Sequence, residues 1–441
     1  MINLFEHYDV ASADLLRSEI IAKIKVPSVA IFDDGFLPKE VDSPIQHYCQ
    51  FNRHHQPLYF DKLPLPKYWK INSVAGSGTV YDLNQKRAEI TYSSADNSRI
   101  IKEVRWLNLA GHVNWVDHYN RYGERFAKTY YENGRAVFEK YFKNSDHQVM
   151  AWNCLKGDFW LKVDGYERHF ASRADFVAYY LQQRQYPLNH VIYNTLNVSL
   201  AVTMNLPKSG SDILFWHEKT ADQLPGNMQY LVDNETRTKH VIFQNYTDWQ
   251  QRDRFLPKEP GHVDFQYLGM IYPHPRSNKL QQRGLILTNS DQVEQLDKLV
   301  KLLPNFEFNV AAVTEMSGKL LQFGDLPNCN VYPTVSQQRL KQLMADCDVY
   351  FDINHGDEIL DAVRGAFEQN MLIVGFNETL HNRKFVAPEN VFKKNAVKQM
   401  AQVVLTALVK PEEMKRLVDT QRQLAGDVLI EDYQRVFGEF K

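Results

Sequence analysis

The order of apolar and polar residues over positions 348–375 predicts a β-strand, a polar turn, a helix and a second β-strand. Apolar residues dominate positions 349–353, and a polar turn runs from Asn354 to Asp357. Apolar residues then recur at the i, i+3, i+4 and i+7 spacing of one helical face, beginning at Ile359. A strand, a helix and a second strand in this order form a βαβ unit, which implies a parallel sheet.

A similar succession of helices and strands occupies three other parts of the chain. Helical spacing over residues 11–24 comes before an apolar strand over residues 28–32, so the chain is predicted to open with a helix. We predict an α/β fold of the GT-B-like class, which consists of a pair of Rossmann-like lobes. Residues 1–57 together with 172–255 form the N-terminal lobe, and residues 256–441 form the C-terminal lobe with its terminal helices.

Residues 58–171 have a different pattern and are predicted to form an antiparallel, extended β-sheet domain inserted in the first lobe. Short runs alternate apolar and polar residues, and turn-forming pairs such as Asn133-Gly134 separate them, as in a β-meander. Five of the seven tryptophans lie here, at positions 69, 106, 115, 152 and 160. They fit the core of a sheet, a sugar-stacking surface or a peptide groove.

Composition and charge exclude several classes of protein. A net charge of −2 gives no reason to expect a nucleic acid as partner. The four cysteines are scattered without a C-x-x-C pair, which argues against disulfides and zinc and for a reducing compartment, the cytoplasm. The first ten residues lack the basic region of a signal peptide, and no apolar run approaches the roughly 20 residues of a membrane-spanning helix.

The turn after the first strand of the second lobe lacks the residues that bind a nucleotide sugar. Retaining GT-B transferases place an arginine and a nearby lysine at this position, where the two cations hold the diphosphate. The corresponding turn here runs from Thr288 through Asn289 and Asp291 to Gln292, with one carboxylate and no cation. Two charge-assisted hydrogen bonds contribute about 1.5–3 kcal/mol each, so their loss weakens donor binding by roughly two to four decades.

The same enzymes carry two glutamates separated by seven residues in the 348–375 segment, and only one of them has a counterpart here. Glu368 occupies the position of the second glutamate, which binds ribose hydroxyls, but Leu360 stands at the first. Glu358 is two residues out of register, about 200° around a helix. Whether Glu368 contacts a ligand or is an ordinary helix carboxylate stays open. We therefore expect a degenerate nucleotide site, formed by Thr288, Asn289, Asp291, Leu360 and Glu368, without catalytic residues.

Several long segments resemble the GtfB family, the glycosyltransferase-stabilising subunits of an O-GlcNAc transferase. These segments are MINLFEHYDV, AIFDDGFLPKEVDSP, DHYNRYGERFA, DILFWHE, PGNMQ, DINHGDEILDAVRGAFE and HNRKFVAPENVF. The resemblance implies a GT-B fold with an extended β-sheet insertion and a cytoplasmic, heterotetrameric complex with the catalytic subunit GtfA. It also implies that GtfA transfers GlcNAc to Ser/Thr of a serine-rich-repeat adhesin, while the GtfB-type subunit stabilises GtfA and binds the unfolded acceptor. Export of the adhesin by the accessory Sec system follows, and peripheral attachment to the membrane through that apparatus stays open.

Three polar turns at the carboxyl ends of strands are candidates for binding the acceptor polypeptide, because open α/β sheets bind ligands there. Their carboxylates and imidazoles suit serine hydroxyls and peptide N–H donors. The candidate residues are Asp33, Asp34, Gly35, His217, Glu218, Asn354, His355 and Asp357. Adjacent carboxylates in a strand point to opposite faces, so Asp33-Asp34 is not a metal motif, and no metal or cofactor is expected.

Two other functions fit part of this pattern. One is an active retaining GT-B glycosyltransferase with an unusual donor, and the other is a carbohydrate-binding protein that uses the aromatic meander. His355 could also act as a general base, although a solvated turn histidine fits the same sequence.

Overall fold

The computed structural model describes residues 1–74, 76–93, 99–163, 165–258 and 261–440. The chain divides into two compact units. The first contains residues 1–242 with 253–266 and Phe440, and the second contains residues 243–252 with 267–439. None of the helices in the described ranges is long and apolar enough to cross a membrane.

The first unit contains a seven-stranded sheet with helices around it. Its strands are β1 (Ile2–Phe5), β2 (Ser28–Ala30), β3 (Val41–Asp42), β14 (Val191–Tyr193), β15 (Asp212–Trp216), β16 (Thr238–Phe243) and β17 (Asp264–Tyr267). Their order across the sheet is β17-β16-β15-β14-β1-β2-β3, and β1, β2, β3, β14 and β15 pair in parallel. The helices are α1 (Val10–Ile21), α2 (Pro44–Cys49), α3 (Arg173–Gln183), α4 (Val198–Met204) and α5 (Gly226–Asp233).

The prediction that the lobe opens with a helix is wrong, because β1 precedes α1 and lies within the sheet. A strand covered on both faces has no alternation of apolar and polar residues to reveal it. In β1 the polar residue Asn3 also interrupts the short apolar run. Ser172 caps α3 by accepting a hydrogen bond from the backbone N–H of Asp175.

The inserted segment forms a ten-stranded antiparallel meander. Its strands are β4 (Lys70–Ser73), β5 (Ser77–Asp82), β6 (Gln85–Tyr92), β7 (Ile101–Leu107), β8 (Val113–Tyr119), β9 (Arg125–Glu132), β10 (Arg135–Lys143), β11 (His147–Asn153), β12 (Phe159–Val163) and β13 (Tyr166–Phe170). They pair in chain order. Asn133 and Gly134 form the two-residue turn between β9 and β10, both with positive φ, and this confirms the hairpin expected there.

A buried arginine joins the inserted sheet to the lobe. The guanidinium of Arg173, the first residue of α3, lies 4.2 Å from the Trp152 ring centroid of the sheet and 4.4 Å from that of Phe32 after β2. It also donates a hydrogen bond of 3.1 Å to the hydroxyl of Tyr141. Within the described part of the chain, no carboxylate lies within ion-pair distance of Arg173, so aromatic faces stabilise the buried cation.

The second unit contains a six-stranded parallel sheet. Its strands are β18 (Arg283–Leu287), β19 (Glu307–Ala311), β20 (Cys329–Tyr332), β21 (Val349–Asp352), β22 (Leu372–Phe376) and β23 (Val391–Phe392), in the order β20-β19-β18-β21-β22-β23. The helices are α6 (Tyr246–Gln250), α7 (Leu296–Leu302), α8 (Gly318–Leu321), α9 (Gln337–Asp346), α10 (Ala362–Glu368), α11 (Val397–Val409), α12 (Pro411–Ala425) and α13 (Ile430–Glu439). The predicted βαβ unit is confirmed as β21, α10 and β22.

A protonated glutamic acid lies beneath the first sheet. Glu19 of α1 is fully buried and accepts a hydrogen bond of 2.6 Å from Nδ2 of Asn3 in β1. Burial raises the pKa of Glu19 to about 8, and the hydrogen bond from Asn3 offsets only part of this effect. The folded chain therefore keeps a proton that the unfolded chain loses above a pH of about 4.3.

Stability of the first unit should fall as the pH rises from about 4.3 to 8, because the folded state holds the extra proton over this window. Glu19→Gln has the shape of the protonated acid and removes this dependence. At pH 8 we expect the variant to unfold about 3 °C or more above the unsubstituted chain, measured by scanning fluorimetry, with little difference at pH 5. Glu19→Ala, the control, should be less stable than Glu19→Gln at every pH, because it leaves a cavity. Parallel pH profiles of the unsubstituted chain and Glu19→Gln would contradict this account.

Candidate functional site

Two neighbouring turns at the carboxyl ends of β18 and β21 are locked together by amide hydrogen bonds. Nδ2 of Asn354 donates to Oδ1 of Asn289 at 3.1 Å and to the carbonyl of Asp357 at 3.3 Å. Oδ1 of Asn354 lies 2.8 Å from the hydroxyl of Thr288. Asn354 and Thr288 are both buried. The structure thus brings together two of the segments that the sequence singles out, the degenerate nucleotide turn and the polar turn after β21.

Gly356 makes this close approach feasible. A Cβ atom at position 356 would collide with Oδ1 of Asn289. The amide of Asn289 therefore lies against the Asn354–Asp357 turn, and the turn after β18 contributes no cation to this place. The carboxylate-bearing residues Asp291 and Asp357 are exposed.

His355 is held by a buried carboxylate. Its Nε2 lies 2.7 Å from Oε2 of Glu294, and Nζ of Lys394 lies 3.0 Å from the same oxygen. Burial opposes the ionisation of Glu294, but the hydrogen bonds from His355 and Lys394 outweigh it and lower the pKa of Glu294. His355 is thus part of an ion cluster, an arrangement that suits orientation of the turn more than proton abstraction from a substrate.

A second histidine, which the sequence analysis did not select, lies at the ends of β21 and β22. Nδ1 of His381 is 2.5 Å from Oδ1 of Asp352, and Nε2 is 2.7 Å from the carbonyl of Gly356. The hydrogen bond to Asp352 raises the pKa of His381 to about 9, so the ring is an imidazolium that donates from both nitrogens. The residue that could have indicated this site in the sequence is Asp352. It is a carboxylate at the end of a buried strand, where a charged group requires a partner.

The helix α10 begins later than the hydrophobic spacing predicts. Leu360 and Asp361 both have positive φ, so the helix begins at Ala362, although Ile359 is still buried. Glu358 precedes the helix and accepts a hydrogen bond of 3.0 Å from the backbone N–H of Val363. The argument from helical register about Glu358 was therefore wrong, because left-handed residues separate it from the helix.

The remaining residues predicted for a degenerate nucleotide site are Leu360 and Glu368. Leu360 is 67% exposed. Glu368 forms an i,i+4 ion pair with Arg364, at 2.9 Å between Nε and Oε1. An arginine thus neutralises the one carboxylate that matches a ribose-binding position.

In the first unit, the turn after β2 is the place where the inserted sheet joins the lobe. Asp33 accepts hydrogen bonds from the N–H of Gly35 at 2.7 Å and from the hydroxyl of Ser43 at 2.5 Å, while burial raises its pKa to about 6. Asp34 forms an ion pair of 2.7 Å with Lys102 of β7. The carbonyl of Gly35 accepts a hydrogen bond of 2.9 Å from Arg121 in the β8–β9 turn.

His217 and Glu218 follow β15 directly and are half-buried and exposed, respectively. In the sheet, β14 and β1 separate β15 from β2, so β15 and β2 are three strand spacings, or about 14 Å, apart. The structure does not bring these two turns together, and the third candidate turn belongs to the second unit. Among the described residues, no group of three or more His, Cys, Asp or Glu side chains is arranged to hold a metal ion.

Four family models match consecutive parts of the chain. They describe the GtfB N-terminal domain over residues 2–48, the GtfB middle domain over 69–171, the GtfB third domain over 173–254 and the GftB/GlyA-F C-terminal domain over 284–421. The chain belongs to the GtfB family.

Relatives of the GtfB family match over their full length. A protein of Limosilactobacillus reuteri subsp. suis is 56% identical over 99% of both chains, and one of Streptococcus pneumoniae serotype 4 is 38% identical over 98% of both. Each is named UDP-N-acetylglucosamine–peptide N-acetylglucosaminyltransferase stabilizing protein GtfB. A chain in the crystal structure of a GtfA/B complex bound to UDP and GlcNAc is 36% identical, covers 100% of both chains and has a TM-score of 0.92.

The fold class predicted from the sequence is confirmed by this comparison. The chain has the GT-B-like pair of lobes and the inserted antiparallel sheet of the GtfB family. The pneumococcal O-GlcNAc transferase GtfA, at 12% identity and a TM-score of 0.53, shares the fold alone. The division at residues 57, 171 and 255 stays a prediction.

We expect the isolated chain to bind UDP no more tightly than millimolar, because the turn after β18 offers a diphosphate no cation. Isothermal titration calorimetry with the full chain measures this affinity. Asn289→Ala, which removes the amide without adding a charge, should bind UDP equally weakly. Micromolar UDP binding by the unsubstituted chain would show that another cation serves the diphosphate.

Proposed function

We propose that this chain is the non-catalytic subunit of a protein O-GlcNAc transferase. It stabilises a catalytic GtfA subunit and binds a serine-rich acceptor polypeptide, so that GtfA transfers GlcNAc to Ser/Thr of a serine-rich-repeat adhesin. The work takes place in the cytoplasm before export through the accessory Sec pathway. The observation that carries the proposal is the full-length likeness to proteins named as GtfB stabilising proteins, in a chain whose nucleotide turn is closed by amide hydrogen bonds.

The side chains at the second sheet support a binding role over a catalytic one. His355 and His381 are each hydrogen-bonded to a carboxylate, and Glu368 pairs with Arg364. A general base must reach the substrate proton, and a donor site must hold a diphosphate. The described ends of β18 and β21 provide cations only within these internal pairs, which supports the assignment of catalysis to a partner.

A row of aromatic residues on one face of the inserted sheet supports docking of that partner. Trp106, Trp115, Tyr130 and Phe138 lie directly opposite one another on four consecutive strands and therefore share one face. Lys128 lies over the rings of Trp115 and Tyr130, at 5.1 and 5.9 Å from their centroids. Phe138 is 39% exposed. The buried carboxylate of Asp117 accepts hydrogen bonds from Nε1 of both tryptophans, at 2.7 and 3.2 Å, and pairs with Lys128 at 3.4 Å. Aromatic residues are enriched in the core of protein interfaces.

The acceptor polypeptide is proposed to bind at the three polar turns selected from the sequence. A serine-rich repeat has little apolar surface and is expected to bind through many weak polar contacts. Exposed acceptors remain at Asp34, Glu218 and Asp357, and each contact should contribute only about 0.5–1.5 kcal/mol. Single substitutions are therefore expected to have small effects.

In a reconstituted reaction, we expect GtfA to transfer GlcNAc from UDP-GlcNAc to a serine-rich repeat faster and to stay soluble longer when this chain is present. The chain alone should show no transfer. Phe138→Glu should reduce co-purification with GtfA at least about tenfold, because it places a charge in an aromatic interface. Leu155→Glu, at an exposed hairpin tip of the same sheet, is the control and should leave co-purification unchanged.

Multiple turnover by the isolated chain would favour the active-transferase alternative instead. Unchanged co-purification of Phe138→Glu would place the partner on a different surface.

We expect the combined substitutions Asp34→Ala, His217→Ala and His355→Ala to weaken binding of a labelled repeat peptide at least about tenfold, measured by fluorescence anisotropy. Binding of GtfA should stay unchanged. Lys102→Ala with Lys394→Ala is the matched control, because it breaks the ion pairs of Asp34 and of the His355 cluster while it keeps every proposed acceptor. If the control and the triple variant lose peptide affinity equally, the turns act only by supporting the fold.

A further inference from the structure

One end of the inserted sheet exposes leucine side chains at three hairpin tips. Leu83 lies between β5 and β6, Leu109 between β7 and β8, and Leu155 between β11 and β12, with exposed fractions of 86%, 74% and 66%. Turns favour glycine, proline and small polar residues, so a leucine at such a position adds nothing to the fold. Exposed leucines that lie side by side at such tips indicate a surface that contacts something else.

Leu83 also has an unfavourable backbone conformation. Its φ is +53°, a region that β-turns normally assign to Asn, Asp or Gly. The tip between β9 and β10 has Asn133 and Gly134 at its two positive-φ positions. The same sheet thus also contains a tip with the residues that favour this conformation. Strained residues that persist are concentrated at functional sites.

The first two tips are fixed side by side. Nε2 of Gln85 donates a hydrogen bond of 3.2 Å to the carbonyl of Leu109, which ties the β5–β6 tip to the β7–β8 tip. Oδ1 of Asn108 accepts hydrogen bonds from the N–H groups of Ala110 and His112, both at 3.0 Å, which orders the second tip. Leu83 and Leu109 are thus displayed together by an ordered scaffold.

Basic residues surround these two leucines. Lys70 of β4 lies opposite Tyr81 of β5, so residues 67–69 run beside the β5–β6 tip. This region contains the cations Lys67, Lys70 and Arg87 and the carboxylate Asp82, while Lys86 is paired with Glu89 at 2.6 Å. Tyr68 in the same stretch is 76% exposed.

We propose that this surface, formed by Lys67, Tyr68, Lys70, Leu83 and Leu109 and called here the basic tip, binds an anionic lipid surface. Projecting leucines can enter the boundary between headgroups and acyl chains, and an exposed tyrosine suits the headgroup level. Lysines around them are attracted to anionic headgroups. A protein pocket would need a complementary carboxylate-rich cavity, whereas a lipid surface offers negative charge and apolar depth together.

The third leucine belongs to a different surface and provides the control. Adjacent strands of a sheet rotate by about 20–25°, so six strands turn Leu155 by more than about 100° from Leu83. Across the two strands to Leu109 the rotation is only about 45°, over a distance of about 10 Å. Leu83 and Leu109 can therefore meet one plane, and Leu155 points elsewhere.

Co-sedimentation of the full chain with lipid vesicles tests the proposal. We expect binding to phosphatidylcholine vesicles that contain phosphatidylglycerol, weaker binding at high salt, and little binding to phosphatidylcholine alone. Leu83→Asn with Leu109→Asn should weaken this binding at least about tenfold. Burying one leucine side chain raises a binding constant by about tenfold or more. Its thermal stability should be kept or raised, because Asn tolerates the positive φ at position 83.

Two further variants separate charge from apolar contact. Lys67→Glu with Lys70→Glu should reduce binding to the anionic vesicles and flatten its salt dependence. Leu155→Asn, the matched control at a tip of the same sheet, should bind as the unsubstituted chain does.

Equal sedimentation with both vesicle compositions, or no loss in the Leu83/Leu109 variant, would overturn the proposal. If that variant loses co-purification with GtfA while its vesicle binding is unchanged, the basic tip is a protein contact, which also overturns it. Loss of vesicle binding with normal co-purification and normal peptide binding supports a lipid contact that is independent of the proposed transferase function.

Discussion

The buried guanidinium of Arg173 is the contact on which the arrangement of the first unit depends. It lies at the first turn of α3, at the point where the chain returns from the inserted sheet to the lobe. Phe32 of the lobe and Trp152 of the sheet cover its faces, and Tyr141 of the sheet accepts one of its hydrogen bonds. A buried cation without these contacts would carry a desolvation cost of several kcal/mol, so lobe and sheet each satisfy what the other requires.

Trp152 pairs with Glu139, the neighbour of Phe138, so the contact with Arg173 and the aromatic row lie on opposite faces of the sheet. The turn after β2 also contacts the inserted sheet. Asp34 pairs with Lys102, and Gly35 lies so close to the backbone of Asn120 that a side chain would collide with it. The turn after β2, which the sequence suggests as a ligand site, therefore also holds the inserted sheet in place. Any acceptor contact there is therefore made by groups whose positions the inserted sheet has fixed.

In the second unit, polar side chains at the carboxyl ends of the strands pair with one another. The fold places polar groups at the ends of β18, β21 and β22, where a transferase would hold a nucleotide sugar. Here Asp352 holds His381, Glu294 holds His355 and Lys394, and Asn354 holds Asn289. Buried charges are stable only when they are paired, and these side chains satisfy one another within the chain. The geometry agrees with membership of the GtfB family, whose named members are stabilising proteins.

The sequence by itself determined the elements that leave a periodic trace. Helices such as α11 and α12, the alternating strands of the meander, the Asn133-Gly134 hairpin and the missing cations of the Thr288–Gln292 turn are local properties of the chain. The tertiary structure alone decided β1, whose two faces are covered, and the start of α10, which two left-handed residues delay to Ala362. It also decided the partner of each polar side chain. Asp352 and His381 are 29 residues apart and Asp34 and Lys102 are 68 apart, and hydrogen bonds across such separations leave no pattern in the sequence.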